Sequence, residues 1–190
     1  MIPEVGFLEG ERTVLRAFDE GDVEVWHSWF NDPLVTDGMN KGLYPNTREA
    51  QRHFLASMYS TKADLQLAIV HRATRRLIGT VGLHGIDFFN STADISIVIG
   101  ARDFWGQGFG KEAVAIMVQH AFQKLCLHKT TAGMFETNHG SRYLFESLGF
   151  RPEAVLREQA AWHGRRVDIL RYGLLSREWN QSKSKEIGSC

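Results

Sequence analysis

Cysteine is scarce in this chain, neither sign of charge is in excess, and no apolar run is long. Only Cys126 and Cys190 occur among the 190 residues. Cys126 falls in an apolar helical stretch and reads as a buried small side chain, and Cys190 is the last residue. A disulfide framework is therefore not expected, and nothing has the spacing of a metal-ligand set. Lys+Arg and Asp+Glu both number 22, so the formal net charge is zero. Without a basic excess, neither a nucleic acid nor a membrane surface is an expected partner. The local basic clusters, Arg72 to Arg76 and Arg165-Arg166, read as solvated turns beside strands. No apolar run approaches the roughly 18 residues of a bilayer span. The opening Met1 to Val5 lacks the basic and apolar regions of a signal peptide. These absences together predict a cytoplasmic protein.

The residues that are present are those of a globular domain. A hydrophobic fraction of 43% is enough for a sizeable core, and the length suits one domain. We read residues 1–180 as that domain and 181–190, rich in Ser, Lys and Glu, as a disordered tail. The predicted order is strand, two helices, three strands, helix, strand, helix, two strands. Thr13 to Phe18 opens as a strand, and Asp19, with Asp22 three residues on, caps a helix bearing Val23, Trp26, Trp29 and Phe30 on one face. That helix stops near Pro33, and Asp37 to Asn46 reads as loop. Thr47 caps a second helix through Met58. Leu65 to Val70 and Leu77 to Leu83 form a hairpin. In Ala93 to Ile99, Ile95, Ile97 and Ile99 alternate with Asp94, Ser96 and Val98, the period of a strand. From Lys111 an apolar stripe of Val114, Met117, Val118, Ala121 and Leu125 marks a helix. Thr130 to Phe135 is a strand, and Ser141 to Ser147 a short helix closed by Gly149. Ala154 to Trp162 and Val167 to Leu175 close the chain as a hairpin around His163-Gly164-Arg165.

Between the alternating strand and the striped helix lies Trp105-Gly106-Gln107-Gly108-Phe109-Gly110. Strand, glycine-rich turn and helix together form an anion site. The glycines allow close backbone approach, and the first helical amides lack internal partners and carry the positive end of the dipole. A tight connection with no ligand is the alternative. A P-loop is excluded, because Glu112 follows Lys111 where Ser or Thr is required. A dinucleotide fingerprint is excluded too, because Lys111 stands at its third glycine.

The run from Ile97 to Ala113 resembles the central cofactor motif of the GNAT acetyltransferases, Gln/Arg-x-x-Gly-x-Gly/Ala. Trp105 stands at its first position and Gly108 and Gly110 at its glycines. The Trp departs from the general pattern and is the form of the ribosomal-protein-acetyltransferase-like branch. Asn138 to Ser141 with Phe145 to Phe150 resembles that branch's second block. Leu156-Arg157-Glu158, Gly164, Asp168 and Gly173-Leu174-Leu175 resemble its closing hairpin, and Leu15-Arg16 and Trp29 to Asp32 its opening. The resemblance spans roughly residues 10 to 179.

The resemblance implies an α/β (α+β) single-domain GNAT fold. Its central sheet is mixed but mostly antiparallel, with six to seven strands and about four helices, and it splays between the fourth and fifth strands. It also implies an acetyl-CoA-dependent N-acetyltransferase with no metal. Cofactor contacts fall to Val98, Ile99 and Gly100, to Trp105 through Lys111 (Gly106, Gln107, Gly108, Phe109 and Gly110 between them), and to Asn138 and Ser141. The amine attacks the thioester directly once a base has removed the ammonium proton. Many GNATs carry a tyrosine acid seven residues after the Asn of the second block, and here that position is Phe145. Water or Ser141 is left to protonate the thiolate. For the base, Asp94, Ser96, His84 and Glu136 are candidates, with ordinary strand-end charges or a loop histidine as the alternatives. Trp29, with its neighbours Trp26 and Phe30, and His84 are candidates for the acceptor site, core packing being the alternative for the aromatics.

The acceptor is expected to be a small primary amine: a polyamine, an amino sugar, an aminoglycoside or an amino acid derivative. A protein N-terminus and a non-catalytic acyl-CoA-binding module stand as alternatives. The acidic residues Asp19, Glu20, Asp22 and Glu24 are a candidate attraction for a cationic amine, or a complement to the helix terminus. A homodimer through the closing hairpin is left open.

Overall fold

The computed structural model describes residues 6–39 and 41–179. The expected tail, 181–190, lies outside the described residues. Eight strands form one sheet in the order β1-β2-β3-β4-β5-β6-β8-β7. They are β1 (Leu8–Glu9), β2 (Thr13–Arg16), β3 (Leu65–His71), β4 (Leu77–Asp87), β5 (Thr92–Ile99), β6 (Lys129–Phe135), β7 (Arg151–Trp162) and β8 (Arg165–Leu175). The helices are α1 (Val23–Phe30), α2 (Pro33–Thr36), α3 (Arg48–Met58), α4 (Phe109–Gln123) and α5 (His139–Ser147). The fold class is the expected one. The strand count is higher than expected because β1 is only two residues long, too short to show a period.

Every neighbouring pair is antiparallel except β5 with β6. That parallel pair holds only from Thr92 to Asp94 against Lys129 to Thr131. Beyond it, β5 stays with β4 as far as Ile99 opposite Gly79, and β6 stays with β8 as far as Phe135 opposite Ile169. The sheet therefore opens into a V, and the strand edges along Ile95–Ile99 and Ala132–Phe135 face each other unpaired. These are the two strands expected to splay, now the fifth and sixth because of β1.

The fork of the V has its own polar lock. Arg171 of β8 donates to Asp94 Oδ1 (2.8 Å) and to the Thr131 hydroxyl (3.0 Å), and Thr131 donates to the same carboxylate oxygen (2.7 Å). Gly133 leaves room for Arg171 to lie across β6, since a Cβ there would come within 2.7 Å of its Nη1.

Packing follows the sequence pattern. Val114, Met117, Val118 and Ala121 of α4 are each fully buried, and each large side chain contributes about 1.5–3 kcal/mol through removal from water. Arg16 at the end of β2 binds Asp22 with two bonds of 2.6 and 2.8 Å inside the core. Asp22 in turn accepts the Asp19 amide (2.9 Å), the return half of a capping box. Asp19 thereby starts a short 3₁₀ turn, Glu20–Asp22, that leads into α1. Thr47 caps α3 by accepting the Ala50 amide (3.1 Å), as expected. Helix α2 was not expected, although Asp32 accepts the Leu34 amide (2.9 Å) ahead of Pro33, which is a proline-led helix start.

Cys126 departs from expectation. Helix α4 ends at Gln123, and Cys126 lies exposed beyond it in the left-handed region (φ 55°). The apolar character of its neighbours belongs to Leu127, which is buried.

Trp29 fixes a backbone position. Its ring lies against Gly100 so closely that any Cβ there would overlap three ring atoms. Both groups are core-side, so neither has room to withdraw. Gly100→Ala is expected to lower unfolding stability by about 1–3 kcal/mol, as overpacked cores do, read as a lower urea midpoint with an unchanged slope.

Candidate active site

The open V is the floor of a cleft of about 1390 Å³. One part of its lining comes from Ile95 to Ile99 on β5 and from Gly133 and Met134 on β6. The glycine turn and the start of α4 follow, and then Asn138 to Ser141 at the start of α5. Further lining comes from α1 and α2, from 37–39 and 41–46, from α3, from Gln66 of β3, from Thr80 and His84 of β4 and from Trp162 at the end of β7.

The glycine turn has the open backbone that an anion site needs. Gly106 (φ 70°) and Gly108 (φ 84°) are both in the left-handed region, which side chains resist. Gly108 is the N-cap of α4, so the amides of the first turn lack intrahelical partners and point into the turn. A Cβ on Gly106 would meet nothing within 4 Å, leaving that backbone open to a ligand. Gly110 is close-packed instead, a Cβ there approaching Leu144 Cδ1 to 3.1 Å. Lys111 lines the cleft one residue on. The described residues thus fit the phosphates of a coenzyme A carrier.

Arg12, in the β1–β2 turn, clamps the glycine turn from behind. It donates to the Gln107 carbonyl (3.0 Å) and to Glu112 Oε2 (3.1 Å), and its guanidinium lies 4.5 Å from the centre of the Phe109 ring. Glu112 Oε1 also accepts the amides of Arg12 (2.8 Å) and Thr13 (3.0 Å) and the Thr13 hydroxyl (2.9 Å). Burial pushes the Glu112 carboxyl up, but these four donors outweigh it and hold it below its ordinary range. A depressed carboxyl contributes stability that is full above the unfolded value of about 4.3 and is lost as pH falls through the folded value. The chain is therefore expected to lose stability on acidification below about pH 4.3, and Glu112→Gln to lose less of it over that window, measured by urea midpoints across pH.

Of the expected cofactor residues, Val98, Ile99, Trp105, Gly106, Gly108, Phe109, Gly110, Lys111, Asn138 and Ser141 line the cleft. Gly100 and Gln107 do not. Gly100 is seated on Trp29, and the Gln107 side chain turns back to donate to the Asp103 carbonyl (2.6 Å). Trp105 donates its indole N–H to the Ile99 carbonyl (2.6 Å), so the motif's first side chain braces the strand end. Asn138 caps α5 by accepting the Ser141 amide (3.0 Å). Its amide nitrogen stands beside Gly38, where a Cβ would approach to 2.7 Å. Gly38, just after α2, is thus packed against the second block.

Three sequence candidates stand outside the cleft. Asp94 is engaged by Arg171 and Thr131 at the fork. Glu136 lies past the end of β6 and accepts the Asp168 amide (3.3 Å). Trp29 is buried in the core, where helical spacing against Trp26 places it. The acidic group near α1 is also directed elsewhere: Asp22 pairs with Arg16, Glu20 with Arg52 and Glu24 with Arg48.

His84 and Ser96 do meet in the cleft. They come from adjacent strands, and His84 Nε2 is 2.7 Å from Ser96 Oγ. Behind the ring, Asp64 Oδ1 lies 3.5 Å from His84 Nδ1 and accepts the Gly85 amide (3.0 Å). A Cβ on Gly82 would come within 3.0 Å of His84 Nε2, so the bare backbone gives the ring its place. Asp64 was not foreseen, for it stands just before β3 in no motif. Phe145 is buried against Phe150 (5.0 Å between centroids), while Tyr143 lies exposed at the cleft wall.

Comparison with known proteins agrees with this fold. The acetyltransferase (GNAT) domain family matches residues 12–151. An uncharacterised N-acetyltransferase of Bacillus licheniformis, p20, is 34% identical over 176 residues, covering 89% of this chain and 96% of that protein. The spermidine N(1)-acetyltransferase of Vibrio cholerae is 28% identical over 185 residues, covering 89% and 96% respectively. The crystal structure of a Vibrio cholerae spermidine N-acetyltransferase in complex with CoA and spermine superposes with a TM-score of 0.82 at 24% identity, covering 90% of this chain and 99% of that one. Among the described residues, no helix is long and apolar enough to cross a membrane.

Proposed function

The chain belongs to the GNAT acetyltransferase family and is an acetyl-CoA-dependent N-acetyltransferase; on that premise we propose that it acetylates the primary amine of a small molecule, by direct attack in a ternary complex. The observation that carries this reading is one cleft lined both by the glycine turn and by the His84–Ser96 pair. Residues 1–180 act as one acetyltransferase domain in this reading.

Bound acetyl-CoA supplies the activated thioester. The turn from Gly106 to Lys111 holds its phosphates, and the unpaired edge of β5 offers backbone groups to its arm. Ser96 and His84 take the proton that the acceptor ammonium must lose, the serine hydroxyl passing it to His84 Nε2. Asp64 orients the ring from the other side, the arrangement by which a carboxylate fixes a histidine base. In the transfer the C–N bond forms and the C–S bond breaks. The thiolate gains its proton from water at the cleft wall or through Ser141, because Phe145 has none to give. No side chain becomes acylated.

The test is an initial-velocity study with both substrates varied. Direct attack gives intersecting double-reciprocal lines. Parallel lines, with an acetylated enzyme detected by mass spectrometry, would overturn the mechanism.

A further inference from the structure

The polar lining of the cleft restricts which amines fit it. Among the described residues the only carboxylate in the lining is Asp37, whose Oδ1 is 2.7 Å from His163 Nε2 at the hairpin tip. Lys41 and Lys111 line the same cleft, so it has no negative excess. The nearby acids of α1 and its approach are tied to arginines, as described above. Away from the glycine turn, α1, the segment 41–46, α3 and the hairpin supply Phe30, Leu43, Tyr44, Phe54 and Trp162. Leu43 and Tyr44 are 80% and 85% exposed, two large apolar side chains side by side at the rim. Away from the glycine turn the cleft therefore offers mainly aromatic and aliphatic surface, with neutral polar groups such as Asn46, Gln66 and Thr80 and one carboxylate.

We propose that the preferred acceptor carries a single ammonium on an apolar, aromatic-sized body, as an arylalkylamine does. This rests on the reading of the cleft as an amine acetyltransferase site. An ammonium loses its proton at Ser96–His84 before it attacks, so the reacting nitrogen needs no permanent counter-charge. A polyamine keeps one or two further ammonium groups. In this cleft they would leave water without paired carboxylates to replace it, which is unfavourable for any buried charge. An aryl ring covering Leu43, Tyr44 and Phe54 instead removes apolar surface from water, the favourable direction.

The test compares kcat/KM for 2-phenylethylamine, tryptamine, spermidine and a short peptide with a free phenylalanine N-terminus, using the full chain and acetyl-CoA. The expected result is a preference of about tenfold or more for the arylalkylamines over spermidine, the size of effect that apolar pocket contacts give. Tyr44→Glu, at an exposed position that folding does not need, is expected to lower kcat/KM for phenylethylamine and raise it for spermidine. Equal or better turnover of spermidine by the unaltered chain would overturn the inference, as would turnover of the peptide alone. Acetyl transfer to none of the four would overturn the inference, and the small-amine reading itself would fail only if a second panel of amino sugars, aminoglycosides and amino acid derivatives were also untouched while acetyl-CoA still bound, so the two failures are distinguishable.

Discussion

Replacing His84 by alanine is expected to lower kcat/KM for acetyl transfer by about 10²–10³-fold, within the range of a lost general base, while acetyl-CoA binding is unchanged. His84 lies 2.7 Å from Ser96 and 3.5 Å from Asp64, and it contributes nothing to the glycine turn. Added imidazole is expected to restore part of the rate, because the alanine leaves a ring-sized space beside Gly82 and Ser96. A structural role for His84 would lower stability and show no imidazole rescue. Asp64→Asn keeps the size of the side chain and removes its charge. Its expected loss is smaller, and it falls on kcat more than on KM, because Asp64 positions the ring and does not reach the cleft.

The second large effect is expected at Gly108. Its φ of 84° is one that a β-branched residue resists, and the position is both the N-cap of α4 and part of the cleft lining. Gly108→Val forces the turn to rearrange just where the α4 amides converge. Acetyl-CoA affinity is expected to fall by about 100-fold or more, with a modest loss of stability of about 1–2 kcal/mol from the left-handed backbone. Isothermal titration with acetyl-CoA reads the first and urea unfolding the second. Retained affinity with the same destabilisation would show that the phosphates bind elsewhere. Gly106→Ala provides the contrast: its Cβ points into open space, so any loss there reports on backbone conformation and ligand contact without internal collision.

The features legible in the sequence were those carried by neighbouring residues. The alternation of Ile95, Ile97 and Ile99, the glycine turn and the stripe of α4 are each written within about one element, so period and turn chemistry find them. The His163–Gly164 turn was legible for the same reason, both residues having positive φ (47° and 77°). The surroundings of Asp94 and Asp64 were not legible. Asp94 has the position of a base on its strand, and only the arrival of Arg171 from β8 turns it into the lock of the fork. Asp64 comes to stand behind a histidine and a serine from two other strands only because β3, β4 and β5 align. Glu112 shows the same limit from the other side. Its presence excludes a P-loop, yet its use, accepting Arg12 and Thr13 from about one hundred residues away, depends on β2 packing beside α4. Trp29 was ambiguous because helical spacing gives the same pattern to a core face and to a pocket wall.

The most direct test of acetyl-CoA binding in the open V is amide hydrogen exchange measured with and without acetyl-CoA. Slowed exchange is expected along Ile95–Ile99, at Gly106–Lys111 and at Asn138–Ser141, with the β7–β8 pairing unchanged. Binding that left those three segments exchanging as before, and protected another face, would contradict the assignment of the cleft.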